Sequence, residues 1–134
     1  MNSLHDIMVV GDVHADFGAL NTLLNKKRPK IVLQCGDFGF WPNMKAKDRR
    51  NRWRERKAPI AKDTRLYWAD GNHEDHWSLK ARQTNEVYPN VFHMKRGATL
   101  TLPDSCHAAL FRRKSGDVFD RMLHLAGRGV RWAA

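Results

Sequence analysis

The chain has 134 residues, 42% of them hydrophobic, and its 24 Lys and Arg against 14 Asp and Glu give a net charge of +10. That length suits one domain with a real core; no apolar run is long enough to span a bilayer, and the two cysteines, Cys35 and Cys106, suggest no disulfide framework. The N-terminal "MNSLHDIMVVGD" does not read as a signal peptide, so a reducing cytoplasm is the expected setting, and the basic balance favours anionic partners.

The first half alternates strand and helix signals. "DIMVV" (6–10) is a short β-rich run closed by Gly11-Asp12. "ADFGALNTLLNKK" (15–27) places Phe17, Leu20, Leu23 and Leu24 on one helical face, with Asp16 as N-cap and Pro29 ending the helix. "KIVLQCGD" (30–37) is a second buried-strand run, and "RLYWADG" (65–71) a third. "EDHWSLKARQ" (74–83) predicts a helix whose acidic start, Glu74 and Asp75, matches the macrodipole. Strands joined by helical crossovers argue for a parallel sheet in an α/β domain.

Beyond residue 90, "VFHM" (91–94), "ATLTL" (98–102) and "CHAALF" (106–111) are strand-like. Turn signals stand at Arg96-Gly97 and Pro103-Asp104. Arg112, Arg113 and Lys114 then interrupt the apolar run. Val118, Phe119, Met122, Leu123 and Leu125 have the spacing of a short helix, and no further strand or ordered end is expected.

Between the second and third strands lies "KAKDRRNRWRERK" (45–57), with eight basic residues against Asp48 and Glu55. Charge patterning alone makes this a solvated helix or loop. Its functional reading is a phosphate-attracting rim through Lys45, Arg49, Arg50, Arg52, Arg54 and Arg56, with Trp53 able to stack on a base or sugar. Any nucleic-acid binding would then rest on backbone electrostatics rather than base readout.

In open α/β sheets ligands bind at the carboxyl ends of the strands. All three predicted strands end there in polar groups behind a glycine: "GDVH" (11–14), "GDFG" (36–39) and "GNHE" (71–74). Asp12 and His14, two apart, would leave an extended segment on the same side as a carboxylate–imidazole pair for a divalent transition metal. Asp37 ends the neighbouring strand, where its two oxygens can each take an ion. Asn72 offers a neutral carbonyl oxygen, and the adjacent His73 is better placed to face substrate as a general acid. Gly11, Gly36 and Gly71 are expected to free the backbone where the chain leaves the sheet. Singly each motif reads as a turn or a cap; three in order are much harder to dismiss.

"GDVH…GDFG…GNHE" resembles the opening motifs of the calcineurin-like metallophosphoesterase superfamily, and "LQCGDFGFWP" and "WADGNHEDHW" resemble a bacterial or phage-type branch. The resemblance spans roughly residues 6 to 104. It implies an α/β domain with a β-sandwich flanked by helices and a metal site at the strand carboxyl ends. It also implies Asp12 and His14 on one metal, Asp37 bridging, Asn72 on a second and His73 at the leaving oxygen. The implied cofactors are two divalent ions, Mn²⁺ first and Fe²⁺ or Zn²⁺ as alternatives. The implied chemistry is in-line attack of activated water on a phosphoester.

The chain departs from that pattern in two respects. The family's later strand-end histidine and its Gly-His-x-His pair are not recognisable: His5, His76, His93, His107 and His124 lie in other contexts, and His76 and His107 read as surface or packing residues. Where the protein phosphatases of the superfamily place an aspartate that orients the catalytic histidine, Phe40 stands, so protein-phosphatase activity is not expected and "FGFWP" reads as an apolar wall. These departures suggest a truncated or frame-disrupted homologue, with residues 1–110 as the N-terminal part of the domain and 111–134 as a divergent tail. Two functional readings follow. One is a metal-dependent phosphoesterase with activity impaired by the missing ligands; the other is a catalytically inactive remnant that binds anions or nucleic acid.

Overall fold

The computed structural model describes residues 7–42, 58–95 and 97–101 in full, and the backbone of residue 102 and of strands at 106–115, 118–126 and 131–133. The basic stretch 45–57, with Trp53 and the six cations named above, lies outside the described residues, as do His5, Arg96 and the Pro103-Asp104 turn. No helix among the described residues is long and apolar enough to cross a membrane.

Strand β1 (Ile7–Val10) leads into α1 (Phe17–Lys27), then β2 (Ile31–Cys35) and β3 (Arg65–Ala69). After α2 (His76–Ala81) come β4 (Glu86–Tyr88), β5 (Val91–Met94), β6 (Thr99–Leu102), β7 (Cys106–Ser115), β8 (Val118–Ala126) and β9 (Arg131–Ala133). Six strands form one sheet in the order β4-β5-β3-β2-β1-β9, and β6-β7-β8 form a second. In the larger sheet β9, β1, β2, β3 and β5 run parallel and only β4 is antiparallel.

The parallel strands are apolar on both faces because both are covered. Met8, Val10, Val32, Leu66, Trp68 and Val91 join Phe17, Leu20 and Leu24 of α1 in the main core. Ile7, Val9 and Leu33 form the opposite face, with Ile31, Cys35 and Tyr67 packed against them and Leu100 of β6 closing the cluster. Helices therefore lie on one side and the second sheet on the other, the layered α/β arrangement that the motifs implied.

Helix α1 begins as its sequence predicts, with the Asp16 carboxylate accepting from the Ala19 N–H at 3.1 Å. It closes at Arg28 in the left-handed conformation (φ 46°), its N–H on the Leu24 carbonyl, and Pro29 follows.

Four expectations are corrected. Helix α2 is six residues, not ten: Asp75 is its N-cap, Arg82 is extended, and Glu74 lies outside it. Residues 118–126 are strand β8 rather than a helix, and β9 adds a further strand beside β1. The apolar spacing of 118–125 fits a helix as well as a strand, and nine rungs of pairing with β7 decide it. Arg112, Arg113 and Lys114 do not end β7, because a ladder is made by backbone groups; Arg113 stands opposite Asp120.

The Asp75 cap accepts from both the N–H and the hydroxyl of Ser78, at 3.1 and 2.6 Å. Those bonds, the hydroxyl's first, hold the Asp75 carboxyl below the ordinary aspartate range. Asp75→Ala is expected to cost about 1 kcal/mol of stability at neutral pH. A depressed carboxyl contributes above its unfolded value and loses that contribution as pH falls through the folded one. Urea titrations of the two proteins should therefore converge in acid, and a gap that stays constant with pH would refute the assignment.

Candidate metal centre

In-register parallel pairing sets the ends of β1, β2 and β3 side by side, with Val10 opposite Gln34 and Cys35 opposite Ala69. Three loops leave this edge: 11–16, 36–42 and 70–75. The middle one organises the other two.

The first loop is folded onto the second by backbone bonds. Val13 and His14 both donate to the Asp37 carbonyl at 2.8 Å, and Ala15 donates to Phe38 at 2.8 Å. His14 and Ala15 take left-handed φ values of 49° and 62°. Asp12 and His14 thus converge through a tight turn rather than through strand alternation. Gln34, wholly buried, donates to the Gly11 carbonyl at 3.0 Å and props the start of this loop from below. The glycine that the packing demands is Gly39, at φ 93°, where a Cβ would run into the Ala15 backbone. Around Gly11 a Cβ would meet no atom within 4 Å, so the packing itself does not demand glycine there.

These turns bring one donor atom each from Asp12, His14 and Asp37 within 4.8 Å of one another. His14 Nε2 lies 3.4 Å from Asp12 Oδ2 and 3.9 Å from Asp37 Oδ2. A cation about 2.1 Å from each donor would hold such atoms roughly 3 to 4 Å apart, and oxygen with imidazole nitrogen suits Mn²⁺, Fe²⁺ or Zn²⁺. The residues fit a divalent ion. Asp37 is buried and its N–H donates to Asp12 Oδ1 at 3.2 Å, while Asp12 and His14 are open to solvent.

The third loop arrives beside them. The His73 N–H donates to Asp37 Oδ1 at 3.3 Å, and the His73 and His14 rings lie 6.0 Å apart between centroids. Asn72 and His73 are both exposed, on the loop between Gly71 and Glu74. His73 thus takes its position from a backbone bond to Asp37. Phe40, where an orienting carboxylate was missed, is buried against Trp68 and Tyr88.

Glu74, which the sequence assigns to the dipole of α2, points the other way. Its Oε1 accepts from the Phe38 N–H at 2.6 Å and the Gly71 N–H at 3.5 Å; Oε2 accepts from Gly39 at 2.9 Å and Phe40 at 2.6 Å. One buried carboxylate clamps the loop that carries Asp37 to the loop that carries Asn72 and His73. Burial raises its pKa above the ordinary glutamate value, and the four backbone bonds oppose that without cancelling it. Two further bonds sew the same seam: Asp75 N–H to the Phe40 carbonyl at 2.9 Å, and Trp41 Nε1 to the His73 carbonyl at 3.1 Å.

A second polar group, unremarked in the sequence, sits at the end of β3. The buried Asp70 lies 3.1 Å from His93 Nε2 through Oδ1 and 3.7 Å from His76 Nδ1 through Oδ2. His76, expected to decorate a helix surface, therefore faces a carboxylate. The available signal was Asp70 directly before "GNH", with His93 at an inward position of the next strand in the sheet.

Neither the curated proteins nor the solved structures contain a match to this chain. The family model for calcineurin-like phosphoesterase matches residues 5–126, a span that takes in the three loop motifs and continues through β8. With its Asp-His-Asp cluster at the ends of parallel strands and most of its length matched, the chain belongs to the calcineurin-like phosphoesterase family, whose members are metal-dependent.

Proposed function

We propose that the protein hydrolyses phosphomono- or diesters with two divalent cations, Mn²⁺ first among them, in the cytoplasm. Asp12 and His14 would hold one ion, Asn72 the other, and Asp37 would bridge the two. The observation that carries this is the convergence of Asp12, His14 and Asp37, with the His73 ring centroid 6.0 Å from that of His14. The bound ions would supply Lewis-acid polarisation of the phosphoryl group and an activated water.

The remaining work falls to the chain. Asp37 directs Oδ2 toward His14 and Oδ1 toward the His73 N–H, so one carboxylate fixes both the ligand side and the acid side of the site. His73, exposed and held by its backbone, would hand a proton to the leaving oxygen. His73→Gln should lower kcat by roughly 10²–10⁴-fold. The loss should be larger for phenyl phosphate than for p-nitrophenyl phosphate, whose leaving group needs no proton. Equal losses on both esters would remove His73 from the acid role.

The direct test is hydrolysis of p-nitrophenyl phosphate and bis-p-nitrophenyl phosphate by the full chain with added Mn²⁺. Turnover that EDTA abolishes and Mn²⁺ restores supports the reading. No turnover above an Asp37→Asn background refutes it.

A further inference from the structure

Two tryptophans are exposed on the segments that follow Asp37 and His73. Trp41 is 43% exposed in the loop after β2, and Trp77 is 84% exposed in the first turn of α2. The segments that carry them run together, joined by the Asp75 N–H on the Phe40 carbonyl. Trp41 is also pinned: its indole N–H donates to the carbonyl of His73 itself at 3.1 Å. An indole so tied keeps its orientation while leaving part of its ring to solvent. Phe38 and Phe40, in the same loop, are almost wholly buried, so the loop has an apolar interior within reach that Trp41 does not enter.

Their place relative to His73 gives the exposure a chemical meaning. In the proposed hydrolysis the water oxygen bonds to phosphorus, the bond from phosphorus to the ester oxygen breaks, and that oxygen leaves with the His73 proton. Whatever the ester oxygen is attached to must therefore lie on the His73 side, and Trp41 is bonded to His73 itself. A flat aromatic surface recognises a flat aromatic group, and indole–base stacking tolerates any base.

We propose that the site takes nucleotide-type phosphoesters, with the nucleoside as the leaving alcohol and its base stacked on Trp41, Trp77 offering a second face. This rests on the phosphoesterase reading and adds the substrate class to it. An anionic substrate also suits a chain of net charge +10.

The test compares AMP with ribose 5-phosphate, which carries the same ester group without the base. Phosphate release by the full chain with Mn²⁺ should show a KM about tenfold lower for AMP. Trp41→Leu should raise the KM for AMP about tenfold relative to that for ribose 5-phosphate, which reports separately any shift of His73 from the lost indole N–H bond, while Trp41→Phe, which loses the same bond, should retain most of the preference. Binding is read separately from AMP quenching of indole fluorescence. Because the chain has five tryptophans, the Trp41 contribution is taken as the difference between wild type and Trp41→Leu. Trp77→Leu, at a nearly fully exposed position, is the second variant should the first fail to fold. Equal KM values for both esters, unmoved by either variant, overturn the stacking surface and leave the phosphoesterase reading intact. Quenching that is lost in the variants, without turnover of any ester, supports the surface and sinks the hydrolysis. Neither quenching nor turnover overturns both.

Discussion

Asp37→Asn is expected to abolish Mn²⁺-dependent hydrolysis and to weaken Mn²⁺ binding by a hundredfold or more, while leaving the fold in place. Even residues that merely support a metal ligand cost roughly 10–100-fold in affinity when changed, and a bridging carboxylate should cost more than its supporters. The structural bonds of this residue survive the change. Its main-chain carbonyl still receives Val13 and His14, its N–H still donates to Asp12, and the amide oxygen can still accept from His73. What is lost is the charge that faces His14. Two measurements separate the effects. Without metal, the melting temperatures of wild type and variant should agree closely. With Mn²⁺, only the wild type should gain stability by mass action. A variant that binds Mn²⁺ as tightly as wild type would exclude Asp37 as a ligand.

The strand–loop part of this site was legible because its signals are local. An apolar run, a glycine and an acid at three successive strand ends say where the chain leaves a parallel sheet and which groups it presents there. The family motif lies in those same short stretches. Asp16 was legible as a cap for the same reason, since a cap bonds three residues ahead, whereas Asp75 read only as a first-turn acid before the structure made it the cap.

The clamp was not legible. Glu74 sits two residues before α2 and reads as a helix-start acid, but three of its four partners are backbone N–H groups 34 to 36 positions away. A peptide N–H has the same identity at every position, so no residue pattern announces it. Asp70 with His93 is a similar case, 23 positions apart on two strands that become neighbours only when the sheet forms. The length of α2 and the strand at 118–126 failed differently. In the second a period compatible with a helix was present and pairing with β7 overrode it, while at α2 the Glu74 side chain turns to the loop at 38–40 and Arg82 is extended. The β4 strand, three residues opposite β5, is too short to show any alternation.

Glu74→Ala is expected to cost about 3–5 kcal/mol, a large part of the stability of a domain this size. Each backbone donor stranded away from water costs about 1–3 kcal/mol, and these costs do not simply add. Glu74→Gln is the sharper variant. Its volume is the same and its amide oxygen can serve one pair of donors, Phe38 and Gly71 or Gly39 and Phe40. Its NH₂ must then face the other pair, so roughly half the cost should remain. Urea unfolding with an unchanged m-value would report this as stability rather than as an altered unfolded state.

The effect should also appear at the metal. Mn²⁺ affinity of folded Glu74→Gln, measured by titration at a temperature well below its melting point, should fall about 10–100-fold because the Asp37 loop is no longer held. Full affinity would make the clamp structural only. The pH dependence gives an independent check. Because burial lifts the Glu74 carboxyl, its contribution is complete below the unfolded glutamate value and declines as pH rises through the folded one. Gln has no proton to lose. The stability gap between wild type and Glu74→Gln should therefore narrow as pH is raised from the acid side; a gap that widens would mean that the four N–H groups outweigh desolvation.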